Sequence, residues 1–571
     1  MWCFVSSPLA LGNAADAVEI LSAGYILRAF RKEDGSPLST TQKELLTAAV
    51  FVGMLVGGMV AGCAADRLGR RRCLITSLAV NCTFAVASAA APSVAWLILA
   101  RVCAGLGEFT PGFGEDGVGE RCSRSRSRSR SSYHALPGLW SQVPAHSCLL
   151  VSTFLSFVGN APPVPSPLLC SSETRNPTSK YTSCETGVGG SIPVVFTLAA
   201  ELVPTPIRGA MVSLVASFWM VGSIFAAGAA WVLLGDGFDG MRILPGGTWR
   251  HYALVAAAPA ASTMVLAIVF VPESPRYLFR AGRYNEMSVV LRRMTNATVE
   301  IPPALLAKHP PAAGTNSRSF TSRWQSLFSS VAGGGYHSVS GGAVSRGSGG
   351  TDGNRSCLGW GAQGAGFDEG IMRVLCPGKD ARLKRTTVVL VVVWFTLSYS
   401  TYGVATWNNQ LFADVGLANP YLCSFIYAMS NLPGNVASIL LVERVARKRL
   451  LSASMALAAL AASLFALGSD SGAGPVVSAA CLFNAFSVCG WNALGVVSTE
   501  AFPTGARVSG MAVAAAAGRL GSIAAQFVNG SLEGNILALL MVTSGLTMVG
   551  GLASLLLPGD TRGVSLDNPP R

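Results

Sequence analysis

The sequence predicts an all-α membrane protein with twelve transmembrane helices in two pseudo-symmetric halves of six. Of the 571 residues, 50% are hydrophobic and only 12% are charged, about half the charged fraction of an ordinary soluble chain. The apolar residues fall in runs of about 20 separated by short charged turns, which is the pattern of membrane spans. Two internal repeats indicate that the spans form two related halves.

The spans can be placed in order along the chain. They lie at roughly 2–27, 44–65, 73–91, a fourth from 94, 210–234, 252–272, 386–412, 420–442, 450–468, 474–499, 508–528 and 534–557. A cleaved signal peptide is the alternative for the first segment. Because that segment begins without basic residues and contains Asp16 and Glu19, a transmembrane helix is favoured.

Positive charge is distributed unequally between the connections. Arginines cluster in 66–72 and 443–449, and residues 273–385 carry 15 Lys and Arg against 7 Asp and Glu. The connections at 413–419, 468–474 and 529–534 contain no Lys or Arg. This asymmetry predicts that the arginine-rich turns and both termini are cytosolic. We therefore expect a multi-pass protein of the plasma membrane or an intracellular vesicle membrane. Its net charge of +13 then reflects the arginines that orient the spans in the membrane.

Two repeated motifs define the halves. The motif ELVPTPIR at 201–208 recurs as EAFPTGAR 299 residues later, and Gly222-Ser223 aligns with Gly521-Ser522 at the same offset. The motif DRLGRR at 66–71 recurs as ERVARK at an offset of 377, so about 78 extra residues lie in the first half. The predicted organisation is a first half at 1–272 with an aberrant insert at about 109–187, a cytosolic linker at 273–385 that is Gly/Ser-rich in 309–372, a second half at 386–557, and a cytosolic tail at 558–571.

The insert interrupts the fourth span after Gly107 and contains a run of alternating Ser and Arg at 123–132. A functional basic arm that binds RNA is one interpretation. A retained intron or gene-model error is favoured, because exposed backbone and arginines inside a membrane helix would lack hydrogen-bond partners in hydrocarbon.

The segment GMVAGCAADRLGRRR at 58–72 predicts a cytosolic gate. Gly58 and Gly62 lie four residues apart, a spacing that lets neighbouring helices approach closely. The following acid and arginines can bridge to other helix ends and release them as the two halves rock. The predicted gate residues are Asp66, Arg67, Gly69, Arg70, Arg71, Glu201, Arg208, Glu273, Arg276, Glu443, Arg444, Glu500 and Arg507.

These motifs, together with VPESPRYLFRAGRYNEM at 271–287, resemble the major facilitator superfamily and its sugar-porter branch. NAADAVEI at 13–20, SFWMVGSIFAAGAAW at 217–231 and WNALGVVSTEAFPT at 491–504 are similar to the synaptic vesicle protein two group and its bacterial niacin and aromatic-acid transporter relatives. The chain departs from that group at Gly495, where an acid is frequent, and it lacks the large luminal domain. The resemblance implies the major facilitator fold and transport by alternating access.

The resemblance also implies a proton site, because a first-helix acid often pairs with a fourth-helix arginine in proton-coupled members. Asp16 is the predicted proton acceptor, Arg101 its partner and Glu19 a second acceptor. Moving the arginine would change the proton affinity of the carboxylate. A static ion pair that holds two helices together is the alternative.

A substrate cavity is expected from helices that line it in the relatives. Its predicted residues are Trp231, Tyr399, Tyr402, Trp407, Trp491, Asn492 and Arg519. Aromatic rings can stack on a ring-bearing solute, and an arginine can receive an anionic group.

We therefore predict a transporter, not an enzyme, that moves a small organic solute (an organic anion, aromatic acid, sugar or similar metabolite), with proton symport as the expected mode. No nucleotide-binding loop or HExxH motif occurs, so no cofactor or metal is expected. The expected partners are the substrate, protons and the lipid bilayer, without nucleic acid, and the expected state is a monomer. The alternative is a non-transporting vesicle-resident sensor or trafficking protein of the same fold.

Overall fold

The structure is a computed structural model of the 571-residue chain. It describes residues 2–30, 37–68, 70–107, 198, 202, 208–236, 243–244, 246–295, 380–442, 444–468, 472–502 and 507–558. Within these ranges, only the backbone is described at 2–6, 58–68, 208–213, 280, 295 and 507–509. The predicted insert and most of the linker lie outside these residues.

Six long helices build the described part of the first half. They are α1 (Trp2–Ala29), α2 (Thr40–Leu68), α3 (Arg70–Ala89), α4 (Val94–Gly107), α5 (Arg208–Leu234) and α6 (Trp249–Phe270). Two short helices follow, α7 (Pro275–Arg280) and α8 (Tyr284–Thr295). The Ser274 hydroxyl caps α7 by accepting from the Tyr277 N–H, and Pro275 occupies the first helical position, where no amide donor is needed.

The second half contains α9 (Ala381–Asp414), α10 (Pro420–Met429), α11 (Asn431–Val442), α12 (Arg447–Leu467), α13 (Ala473–Ala501), α14 (Arg507–Ser531) and α15 (Ile536–Ser554). Helices α10 and α11 together form one span, Pro420–Val442. They are separated at Ser430, because the Pro433 ring would clash with the Met429 carbonyl and cannot donate a hydrogen bond to it.

Nine spans in the described chain are long and apolar enough to cross a membrane, and with α1, α2 and α4 they occupy all twelve predicted places. The all-α prediction is confirmed for the described residues. Spans α6 and α15 expose large apolar side chains such as Val269 and Leu552, which suits helices that face lipid.

The internal repeat is visible in the packing. A Cβ atom on Gly222 would overlap the Ala14 carbonyl of α1, and a Cβ atom on Gly521 would overlap the Phe395 carbonyl of α9. These two glycines are the pair that the 299-residue offset aligned. The fifth helix of each half therefore packs on the first helix of its own half through the same glycine, which is the close approach expected of small residues in membrane helices.

We call the side that carries Arg70–Arg72 and Arg447–Arg449 the arginine-rich face, and the side where α1 and α9 end the opposite face. Contacts between the halves extend from the opposite face to the middle of the bundle. A Cβ on Gly24 would overlap the Thr406 carbonyl, and Trp231 stacks on Phe425 at 5.5 Å between ring centroids.

Candidate functional site

A cavity of about 160 Å³ lies between the halves. Helices α1 and α5 line it from the first half, and α9, α10, α11, α13 and α14 line it from the second. A cavity of about 150 Å³ can hold a single benzene molecule, so this space fits a solute with one ring. Of the predicted cavity residues, four line it: Tyr402, Trp491, Asn492 and Arg519.

Arg519 brings a buried positive charge to the cavity wall. Its side chain is 9% exposed, and its guanidinium carbon lies 5.4 Å from the centre of the Tyr402 ring, a cation–π contact. Its Nη1 atom has no hydrogen-bond partner among the described residues. Of the described residues that line the cavity, none is Asp or Glu. An anionic ligand could therefore neutralise this cation.

An aromatic wall adjoins Arg519. The Trp491 ring packs edge-to-face against Trp394 at 5.4 Å and against Tyr402 at 5.9 Å. Its indole N–H donates to the Thr401 hydroxyl at 3.2 Å, which fixes the ring orientation. Trp219 brings a further ring from the first half, 6.3 Å from Tyr402.

Amide groups form another part of the wall, around the break between α10 and α11. The Asn492 amide donates to the Asn435 side chain at 3.0 Å and to the Ser438 hydroxyl at 2.6 Å. The Asn484 amide donates to the Tyr427 carbonyl at 2.8 Å. That carbonyl lies in the last turn of α10, where helix carbonyls lack intrahelical partners. Asn484 therefore stabilises the interrupted span.

Three predicted cavity residues lie elsewhere, and that prediction is corrected. Trp407 is 1% exposed and its indole N–H donates to Gln526 at 2.9 Å, so it is part of the packed core. Tyr399 is buried at 3% exposure and does not line the cavity. Trp231 stacks on Phe425 across the halves near the opposite face.

A buried ion pair lies within the first half. Arg101 of α4 pairs with Glu19 of α1, and the two side chains are 0% and 2% exposed. The Arg101 Nη1 also donates to the Ser22 hydroxyl at 2.8 Å. The partner predicted for Arg101 was Asp16, and the structure places Glu19 there instead. Asp16 is buried one turn earlier on α1, at 1% exposure.

Two tyrosines lie between the ion pair and the cavity. Tyr25 of α1 lines the cavity, and its hydroxyl is hydrogen-bonded to the Asn408 side chain of α9 in the other half. The Tyr25 ring packs edge-to-face on Tyr252 at 5.9 Å. Tyr252 lies within electrostatic range of both Glu19 and Arg101. The packed rings of Tyr25 and Tyr252 therefore extend from the cavity toward the ion pair.

Part of the predicted gate is described at the arginine-rich face. The Glu273 carboxylate accepts from the Arg71 backbone N–H at 3.0 Å, and the Arg71 side chain donates to the Ile268 carbonyl at 2.7 Å. Arg70 lies over the Tyr277 ring at 5.7 Å. Burial and the Glu273 carboxylate raise the pKa of Tyr277, which keeps its hydroxyl protonated.

In the second half, the predicted gate residue Glu500 pairs with Arg447, which was not among the predicted gate residues. The predicted Arg444 lies exposed in the turn before α12. Arg276 lies in α7. The side chains of the other predicted gate residues lie outside the described part: Asp66, Arg67, Gly69, Glu201, Arg208, Glu443 and Arg507.

Several cavity residues were not predicted from the sequence: Asn13, Tyr25, Trp219, Trp394, Asn408, Tyr427, Asn431, Asn435 and Asn484. A spacing signal existed for some of them. Asn431 and Asn435 lie four residues apart, and Asn484 and Asn492 lie eight apart, so each pair shares one helix face.

Comparison with known proteins matches most of the chain to transporters. Residues 185–338 and 372–567 match the family described as "Sugar (and other) transporter", and residues 11–114 match "Major Facilitator Superfamily". The chain is 22% identical to synaptic vesicle glycoprotein 2B of Rattus norvegicus, over 96% of this chain and 82% of that protein. It is 22% identical to synaptic vesicle glycoprotein 2A of Homo sapiens, over 88% and 69%.

Solved structures share the architecture. The xylose transporter XylE from E. coli, in a partially occluded inward open conformation, superposes with a TM-score of 0.59 at 15% identity, covering 98% of this chain and 99% of that one. A D-xylose-proton symporter gives the same TM-score and identity. At this identity the likeness establishes the twelve-helix fold.

Proposed function

The chain belongs to the sugar and other transporter family of the major facilitator superfamily, and from that premise we propose that it carries a small organic anion with a planar ring by proton-coupled alternating access. The family is one of transporters and not of enzymes. The chemistry of the cavity supports the substrate class, and the ion pair of the first half supports the coupling.

The single observation that carries the substrate class is Arg519. A buried guanidinium is costly when it has no counter-charge, and no carboxylate is found among the described lining residues. A carboxylate on the substrate would supply two oxygens to the fork of guanidinium donors. The cavity would then change from one unpaired charge to a neutral pair when the substrate binds.

The aromatic wall supports a ring next to that carboxylate. Trp394, Tyr402 and Trp491 are held edge-to-face, so they can present ring faces and edges to a planar solute. Together with the cavity volume of about 160 Å³, this geometry favours one ring over a larger conjugate.

The ion pair between Glu19 and Arg101 supports proton coupling. When Glu19 takes up a proton, Arg101 loses its counter-charge and its other contacts must change. Tyr25 is placed to pass that change to the cavity, because it touches Asn408 of the other half and packs on Tyr252. Asp16, buried one turn away, is the second carboxylate available to the same proton.

Binding and uptake by purified protein in proteoliposomes test the proposal. Benzoate and its neutral isostere benzamide are the matched probes, and xylose is the probe for a neutral sugar. We expect benzoate to bind, and under an imposed pH gradient to accumulate above the level in protein-free liposomes, which neutral benzoic acid enters by passive diffusion. We expect benzamide neither to bind nor to exceed its own protein-free level. Uptake of xylose without any binding of benzoate would contradict the anion assignment.

A neutral sugar is the second candidate, because the Asn435, Asn484 and Asn492 amides could bind hydroxyl groups. A sensor or trafficking protein of the same fold is the third. It would bind benzoate without transporting it in either direction. We place the protein in the plasma membrane or a vesicle membrane, as a monomer, with both termini on the arginine-rich face.

A further inference from the structure

At the opposite face, an ion pair joins the two halves of the transporter. Lys43 lies in the first turn of α2, and Glu533 follows the end of α14; their side chains are 15% and 18% exposed and form an ion pair. Neither residue lines the cavity or belongs to a motif singled out in the sequence.

A side-chain contact lies beside this ion pair. A Cβ atom on Gly530 would overlap the Glu44 side chain. The Glu44 side chain of α2 therefore lies directly against the backbone of α14, in the space that the missing side chain of Gly530 leaves open. The ion pair and the glycine contact are separate interactions, and both require the halves to be together at this face.

The described charged contacts at the arginine-rich face have a different arrangement. Arg447 and Glu500 both belong to the second half, and Glu273 holds α3 of its own half. Those contacts can persist while the halves rotate against each other. The Lys43–Glu533 pair must break in any state that opens the cavity at the opposite face.

We propose that Lys43 and Glu533, with the Glu44–Gly530 contact, form the gate that closes the opposite face during transport. An ion pair with partial access to water is weak, because solvent screens it and two long side chains must be ordered. This weakness suits a gate, since the pair has to form and break once in each cycle. The proposal rests on the transporter family alone and not on the substrate or the proton.

The test measures access to the cavity without any substrate. A cysteine replaces Ala405, a partly buried lining residue, in a background whose native cysteines are replaced by Ala or Ser. An impermeant thiol reagent is then added to sealed vesicles from either side, and an epitope tag at the carboxyl terminus reports the sidedness. When Lys43 and Glu533 are both retained, we expect labelling from the arginine-rich face only.

Lys43→Glu and Glu533→Lys should each raise labelling from the opposite face several-fold, because each places like charges together. The double charge swap Lys43→Glu/Glu533→Lys should restore the original pattern. Glu286→Lys is the control, because it breaks the exposed Arg283–Glu286 pair of α8, away from the contact between the halves.

The proposal is overturned if the single reversals leave labelling from the opposite face unchanged, or if the double swap labels as strongly as the singles. Restoration by the double swap also shows that both variant side chains are compatible with folding. Since no solute enters the assay, either outcome leaves the benzoate result unaffected.

Discussion

The two halves share a fold and a glycine contact, yet they place charge at different positions. At the 299-residue offset, Arg519 of the second half corresponds to Met220 of the first, and both side chains line the cavity. Counting five residues from the equivalent contacts at Ala14 and Phe395, Glu19 corresponds to Ser400, whose hydroxyl accepts from Thr547 at 2.6 Å. Among the described residues, the first half therefore keeps its buried ion pair away from the cavity, and the second half presents a charge to it.

This asymmetry suggests a division of roles between related halves. A charge pair inside one half can respond to protons while its helices stay packed together. A single cation at the cavity wall can select a solute by charge. Proton-coupled alternating access requires the ion pair of the first half and the cation of the second half to influence each other, and Tyr25 lies between them.

Removing Arg101 should have the largest effect. Arg101→Met leaves Glu19 buried without its cation, and breaking a buried pair by deleting one partner costs about 3–5 kcal/mol. We expect a large fall in the thermal unfolding temperature and loss of transport. In a double-mutant cycle, Arg101→Met/Glu19→Gln should be more stable than the sum of the single effects predicts. Additive losses would mean that the two residues do not interact.

Arg519→Met makes the two halves alike at the cavity wall. Because a hydrogen bond to a charged group contributes about 1.5–3 kcal/mol, benzoate should bind about 10–150-fold more weakly. The unfolding temperature should stay the same or rise, since the variant no longer buries an unpaired charge. Isothermal titration measures the affinity. If the affinity for benzoate is unchanged, the anion site lies elsewhere in the cavity.

The apolar runs predicted the twelve spans, the repeats predicted the two halves, and a charge inside a span singled out Arg519, because hydropathy, spacing and charge are visible without coordinates. The sequence did not show which face of α9 turns toward the cavity. Its lining residues Trp394, Ser398, Thr401, Tyr402, Ala405 and Asn408 follow one helical stripe of period 3.6. Tyr399 and Trp407 lie off that stripe, and since residues on both sides of α9 are buried, hydrophobicity alone could not separate them.

The sequence predicted Asp16 as the partner of Arg101, whereas the structure has Glu19. The cause of this difference is similar. The two acids lie three residues apart and share one face of α1. Which one reaches Arg101 depends on the height of α4 along α1. Close packing at Gly53 and Gly105 sets the position of α4 against α2, and such a translation leaves no mark in the sequence.

Glu19→Gln should separate coupling from binding. For one proton per solute, a pH gradient of one unit can support about tenfold accumulation, since each unit corresponds to 1.36 kcal/mol. The variant should lose this accumulation, whereas benzoate counterflow, which needs no net proton movement, should persist. Asp16→Asn is the matched variant on the same helix face and should retain more of the accumulation. If Asp16→Asn loses accumulation and Glu19→Gln keeps it, Asp16 is the proton site.

Tyr25→Phe should have the smallest effect, and it tests whether the halves communicate through this side chain. The variant removes one hydroxyl, keeps the edge-to-face contact with Tyr252, and loses the hydrogen bond to Asn408. A net hydrogen bond contributes about 1 kcal/mol, or about fivefold in an equilibrium. If Tyr25 transmits the state of the ion pair, benzoate affinity measured across a pH series should lose part of its pH dependence. Tyr252→Phe is the control, because it removes only the hydroxyl that donates to the Ala226 carbonyl at 3.3 Å. If the affinity of Tyr25→Phe falls equally at every pH, the hydroxyl contributes to binding alone, and communication between the halves must follow another path.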